Sequence, residues 1–403
     1  MPELKHALLL AGAIAACTSS PDGPQNDGPP PPAILLKNAQ HAAYTVNVTV
    51  GGSQTFDVIV DTGSTTLGIA GDDCATCSNI SPQYAPGPGA VDAGSAASSA
   101  YAIGGWTGEI YTDSVALTDD TIAPLNMKLV DVTEEEEAFG EQNIAQGILG
   151  FGPPTLAVGD TDAYVTERIH AGASGVFAIQ MCDYDGLLWF GGADKTHEAV
   201  AEQYTALAPI DKDHPFYEVD VASARIGGMS LGLSGEAVPD TGTTIMALPT
   251  ASANAFRDAI NDNPGFTKVF AGQTFELGTA ALACMTTTHT RAEIDEALPQ
   301  FGITFAGLDG TPFTFDLPAT QSYLLPVGTA YCSGVGEAFA DAPITILGDA
   351  FLRSFVSVFD PVDNKIGFSP QQGCVTPSEA HEPSRFVPYV HGHPMTVRPV
   401  GYL

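Results

Sequence analysis

"VIVDTGSTTLG", residues 58–68, is a β-branched run that breaks off at an acid, a threonine and a glycine. The run reads as a strand and the glycine as the turn that ends it. The strand therefore delivers the carboxylate of Asp61 to a loop. "AVPDTGTTIMA", residues 237–247, does the same with Asp240, and each turn continues with a hydroxyl residue, Ser64 or Thr243. Each half of the chain then carries an apolar run ending in Ile-Leu-Gly, "GILGFG" at 147–152 and "ITILGDAF" at 344–351. A shared order of motifs points to a duplicated unit rather than to two unrelated turns.

Around these motifs the pattern is short strands broken by turns. "AAYTVNVTVGGSQTFDVIVDTG" gives two alternating strands about Gly-Gly, and "SSAYAIGGWTGEIYTDSVAL" gives two more about Gly104 and Gly105. Helical periodicity is confined to "DAYVTERIHAG", "TASANAFRDAIND" and "RAEIDEAL". The expectation is an all-β fold with a few small helices. At 403 residues the chain is long enough for two lobes. There are 47 acidic against 14 basic residues, a formal charge of -33. Such a surface argues against nucleic acid and anionic lipid as partners.

The chain opens with "MPELKHALLLAGAIAAC", whose apolar stretch from Ala7 to Ala16 suits an export signal and is too short to span a bilayer. "IAAC" resembles the lipobox of bacterial lipoproteins, with Cys17 as the lipidated residue. The segment 18–33, rich in Pro, Gly, Ser and Asn, reads as a tether that cannot build a core. Six cysteines remain after Cys17: Cys74, Cys77, Cys182, Cys284, Cys332 and Cys374. In an exported chain they imply three disulfides, and six cysteines allow fifteen pairings. "CATC" lacks the second CxxC or HxxxH that would argue for zinc.

Two loops of this kind define a chemistry. Gly63 and Gly242 let a backbone approach closely. Ser64 and Thr243 can each donate a hydroxyl to the neighbouring carboxylate, which favours the charged form and lowers its pKa. If a pseudo-twofold brings the loops together, the two carboxylates cannot easily both ionise and share one proton. Such a pair can deprotonate a water with one member and protonate a peptide carbonyl with the other, with no metal or covalent intermediate.

On these residues the chain resembles the pepsin-like aspartic peptidases, over roughly Leu35 to Pro370. The most specific stretch is "ILGDAFLRSFVSVFDPVDNKIGF", residues 346–368, which is similar to the C-terminal signature of that family. The resemblance implies that Asp61 and Asp240 are the catalytic pair, that Thr62 and Thr241 cross-link the two loops, and that Ser64 and Thr243 are outer hydroxyl donors. Tyr101 falls at the flap tyrosine, with Gly104, Thr107, Gly108 and Asp113 keeping the spacing of the flap hairpin. It also implies the pairings Cys74–Cys77, Cys284–Cys332 and Cys182–Cys374, the last seen in the beta-secretase branch. Several positions depart from the pattern. Gly68 stands where animal pepsins have a tryptophan that holds the flap tyrosine, and Trp106 is placed to compensate. Ala102 replaces a flap glycine, and Pro239 precedes Asp240 where an aliphatic residue is usual. The tether has no Lys or Arg, unlike the family's basic propeptide, so activity without processing is expected. The segment 375–403, with His381, His391 and His393, reads as a disordered tail.

The sequence therefore predicts a signal with lipobox at 1–17, a tether at 18–33, lobes at 34–207 and 208–374 with an antiparallel sheet between them, and a tail at 375–403. The predicted activity is that of an aspartic endopeptidase, working in acid on an extended polypeptide, monomeric, without cofactor or metal. It would be exported and lipid-anchored at a bacterial membrane, as a bacterial member of the resembled family. The alternative is a binding protein of the same fold that does not cut, a role to which two intact aspartates are poorly suited.

Overall fold

The computed structural model describes residues 29–39, 41–101, 104–136, 144–278, 282–338 and 344–374. The signal-like segment with Cys17, most of the tether, Ala102, and the tail with His381, His391 and His393 lie outside the described residues.

The strand Gln54–Asp61 shows why its carboxylate arrives in the interior. Gln54, Thr55 and Asp57 are partly or fully exposed around a buried Phe56, but the last four residues are all buried. Val58 and Val60 face the main core while Ile59 faces a second cluster with Val130 and Ile148, so both faces of the sheet are covered there. Upstream, Gly51 and Gly52 take φ of 60° and 72°, turning the chain back from the strand Ala43–Val50.

Both halves build the same crossing. In the first, the strand Gln54–Asp61 runs parallel to Gly147–Gly150, which is antiparallel to Leu67–Ala70. In the second, Gly235–Pro239 runs parallel to Thr345–Leu347, which is antiparallel to Met246–Leu248. The Ile-Leu-Gly repeat is therefore the strand that threads between the two arms of each aspartate loop. Its glycine is dictated by space: a Cβ on Gly150 would lie 2.2 Å from the Thr65 carbonyl carbon, and one on Gly348 would lie 2.3 Å from the Thr243 carbonyl oxygen.

The first half belongs to a thirteen-stranded sheet and the second to an eight-stranded one. Six of the thirteen strands form an antiparallel run, Gln203–Ala206, Lys365–Pro370, Phe355–Asp360, Phe177–Met181, Asp185–Phe190 and Ile34–Ala39, and a Leu207–Val219 bridge links its edge to the second sheet. This run interleaves the start, middle and end of the chain, and corresponds to the predicted sheet between lobes. The three helical patterns form Tyr164–His170, Thr250–Asn261 and Arg291–Ala297, the last opened by a Thr290/Glu293 capping box. Pro264–Val269, Ala319–Ser322 and Asp349–Leu352 are further short helices with no periodicity long enough to read. The disulfides Cys74–Cys77, Cys182–Cys374 and Cys284–Cys332 are all present. Cys182–Cys374 closes a loop with a sequence separation of 192, tying the hairpin after Phe177–Met181 to the residues just past Lys365–Pro370.

Candidate active site

The two Asp-Thr-Gly turns meet through their threonines. The Thr62 N–H donates to Thr241 Oγ1 at 3.1 Å, and the Thr241 N–H donates to Thr62 Oγ1 at 3.0 Å. Each hydroxyl then donates its own hydrogen across the boundary, Thr62 to the Pro239 carbonyl at 2.9 Å and Thr241 to the Val60 carbonyl at 2.7 Å. Pro239 costs the loop nothing it uses. Its carbonyl is the acceptor, and the ladder donor at this point is the Asp240 N–H, 3.2 Å from the Leu347 carbonyl.

The carboxylates are held in matched cradles. Asp61 Oδ1 accepts from the Gly63 N–H at 2.8 Å and Oδ2 from the Ser64 hydroxyl at 2.5 Å. Asp240 Oδ1 accepts from the Gly242 N–H at 2.9 Å and Oδ2 from the Thr243 hydroxyl at 2.5 Å. Each carboxylate also lies against the opposite turn. A Cβ on Gly63 would come within 2.7 Å of Asp240 Oδ1, and one on Gly242 within 2.3 Å of Asp61 Oδ1. Glycine at both positions is what admits the facing acid.

Both aspartates are fully buried. Burial, then the charge of Asp240, pushes the Asp61 carboxyl well above the usual carboxylate range, against the Ser64 and Gly63 donors. Burial also raises Asp240, opposed by the Thr243 hydroxyl, the Gly242 N–H and a hydrogen bond from Asp61. The hydroxyls pull in the expected direction, but desolvation outweighs them, contrary to the expectation that they set the pair low. The proton belongs to the pair.

A third buried carboxyl escaped the sequence reading. Asp349 follows Gly348 at the start of Asp349–Leu352 and is 5% exposed, with Oδ1 lacking a hydrogen-bond partner. Burial, then the charge of Asp240, raises it well above the ordinary range, with Arg353 opposing. The available signal was the mismatch between the repeats, since the first Ile-Leu-Gly is followed by Phe151 and the second by Asp349.

Over the pair stands the hairpin of Val91–Ala100 and Gly105–Leu117. Gly104 has a φ of 79° and its carbonyl accepts from the Tyr101 N–H at 2.9 Å, closing the tip. The Trp106 indole N–H donates to the Tyr101 hydroxyl at 2.8 Å. Trp106 is itself buried and fills the space above Gly68, where a Cβ would lie 3.7 Å from its Cε2. The tyrosine thus hangs from a tryptophan on its own hairpin, and the missing side chain at Gly68 makes room for that tryptophan. The Tyr101 phenol is pushed up by burial, then by the Asp61 charge, with hydrogen bonds to Ser99, Trp106 and Ser64 opposing. It therefore sits next to the hydroxyl that cradles Asp61.

Trp106→Phe keeps most of the volume and removes the donor. Losing one hydrogen bond of about 1 kcal/mol that holds the hairpin over substrate should lower kcat/KM roughly fivefold, with thermal stability little changed. Steady-state kinetics checks this, and an unchanged kcat/KM would show that the contact does not position Tyr101.

The family model described as eukaryotic aspartyl protease matches residues 43–371. A probable vacuolar protease A of Arthroderma benhamiae is 30% identical over 360 residues, covering 83% of this chain and 80% of that protein. Vacuolar protease A of Aspergillus fumigatus is 29% identical over 361 residues, covering 83% and 81%. Gastricsin of Homo sapiens is 27% identical over 360 residues, covering 81% of each. With two cradled aspartates clamped between duplicated strand crossings and a match over most of its length, the chain belongs to the eukaryotic aspartyl protease family.

Proposed function

We propose that Asp61 and Asp240 are the catalytic pair of this aspartic endopeptidase, acting on a polypeptide laid in extended conformation beneath the hairpin that carries Tyr101 and Gly104. The observation that carries this reading is the matched pair of carboxylates facing one another across the crossed threonines. We assign Asp240 as the base, and a water between the two acids loses a proton to it. Its oxygen attacks the peptide carbonyl carbon while Asp61 gives its proton to the carbonyl oxygen. The resulting diol collapses as Asp240 passes its proton to the amine nitrogen and the C–N bond breaks. One diol hydroxyl returns its proton to Asp61, so the pair ends with the single proton it began with. Thr62, Gly63, Ser64, Thr241, Gly242 and Thr243 hold the acids and take no proton in the reaction.

Two of its relatives are named as vacuolar proteases. We place this chain in an extracytoplasmic compartment, tethered by a lipid on Cys17. The bacterial assignment rests on the "IAAC" stretch. A bacterial lipoprotein carries more than one acyl chain, enough for stable anchoring. Cys17→Ser should move active enzyme from the membrane to the soluble fraction, and an N-terminal peptide of ordinary mass in the wild type would sink the assignment.

Asp61→Asn and Asp240→Asn should each lower kcat by roughly 100- to 10,000-fold, because each removes a proton carrier. Circular dichroism should stay native. Substantial activity in either purified variant would remove that residue from the chemistry.

The pH profile follows from the pair holding one proton. Activity falls in acid as Asp240 takes up a proton, and falls in base as the shared proton is lost. The Thr243 hydroxyl stabilises ionised Asp240 and lowers its pKa. Thr243→Ala should therefore move the acid limb of kcat upward, by about one unit for a hydrogen bond to a charged group. A downward shift would contradict the assignment of Asp240 as the base.

A further inference from the structure

Between the strands Gln203–Ala206 and Val219–Ile226 the chain makes an excursion at 208–218, closed at its base by the pairing of Leu207 with Val219. One side of the excursion is tied to the first half of the molecule. The Thr155 hydroxyl donates to the Pro215 carbonyl at 2.7 Å, and the Tyr217 hydroxyl to the Phe151 carbonyl at 3.1 Å. The other side faces the strand Gly235–Pro239, which leads directly into Asp240.

Where the excursion meets that strand, ligand atoms of His214, Glu218 and Glu236 all lie within 4.8 Å of one another. His214 Nε2 is 2.8 Å from Glu236 Oε1. His214 Nδ1 is sealed from solvent without a hydrogen-bond partner, and Asp211 Oδ1 stands 3.5 Å from it. Glu218 is 2% exposed. Among the described residues no Lys or Arg forms an ion pair with any of the three acids, and the adjacent Lys212 is paired with Asp213 at 2.5 Å. Three carboxylates thus surround one imidazole, and one of them is buried with no fixed counter-charge. Burying an uncompensated carboxylate is costly, and a divalent cation removes that cost.

We infer that His214 Nε2, Glu218 and Glu236 bind a divalent transition-metal cation. An imidazole with two carboxylates suits zinc or manganese, with a water completing the shell. Asp211, 3.5 Å from Nδ1, is placed to become the outer acid that takes the Nδ1 hydrogen on metal binding, a common partner of a metal-bound histidine. The ion would pin the excursion, already fastened to the first half, onto the strand that carries Asp240. It takes no part in the peptide chemistry, and the inference stands or falls independently of the proteolytic reading.

The test uses the full-length protein, freed of metal with EDTA and titrated with zinc chloride at neutral pH by calorimetry and thermal unfolding. One ion should bind per chain and raise Tm. His214→Asn and Glu236→Gln should weaken binding at least tenfold, a loss that even outer partners of metal sites produce. Both positions are partly exposed, so the two variants should match the wild type in Tm with EDTA present. His170→Asn, in the more open cluster of Asp162, Glu167 and His170, should bind zinc as the wild type does. Absence of saturable binding to the wild type overturns the inference. So does zinc binding in His214→Asn and Glu236→Gln as tight as in the wild type, since the ion would then sit elsewhere.

Discussion

Four hydrogen bonds between the turns at Thr62 and Thr241 hold together two acids whose charges oppose the approach. Bringing two carboxylates out of water costs several kcal/mol per ion, and their mutual repulsion adds to it. The pair tolerates this because it retains a proton and because each acid accepts a backbone N–H and a hydroxyl. The threonine hydroxyls do what no apolar residue could. Each accepts from the opposite turn and donates to the strand that leads into that turn, so the two halves are locked in register by groups that leave no donor orphaned.

That lock only works if the two halves present the same geometry. The duplicated crossing of a parallel and an antiparallel strand supplies it, and Gly150 and Gly348 allow the crossing to be tight. The symmetry is broken just after the repeated glycine. Phe151 sits in an aromatic group with Tyr164 and Phe177, whereas Asp349 places a carboxyl near the pair. A neutral Asp349 avoids a third charge beside the dyad. If it ionised, its charge would repel that of Asp240.

The acidic surface and the interior acids act in the same direction. Among the described residues, most basic side chains are committed to ion pairs, such as Lys37–Asp57 at 2.7 Å, and this leaves the net charge of -33 to the carboxylates. Inside, burial pushes Asp131 and Glu198 up to about 7. Groups with raised folded pKa values stabilise the fold in full below their unfolded pKa, and that contribution is lost as pH rises through the folded value. Between mild acid and neutrality these groups therefore favour the folded state at the lower pH, where surface repulsion also eases.

The sequence by itself determined the strand–turn pattern, the two aspartates and the order of repeats. Those features are local, written in β-branching, glycine and hydroxyl residues within a few positions of each other. The helices at Tyr164–His170, Thr250–Asn261 and Arg291–Ala297 were legible for the same reason, whereas Asp349–Leu352 is too short to show a period. The pairing of cysteines came only with the family resemblance, because fifteen connectivities satisfy the same count. Tertiary structure alone decided three things. It set burial against the hydroxyl donors at Asp61 and Asp240, and desolvation prevailed because both faces of the delivering strands are covered. It decided that Trp106, which the sequence could offer only as a candidate, fills the space left at Gly68, a contact between residues 38 positions apart. And it gathered His214, Glu218 and Glu236 into one cluster, which no spacing announced because the strand pairing of Val219–Ile226 with Gly235–Pro239 is what brings Glu236 back.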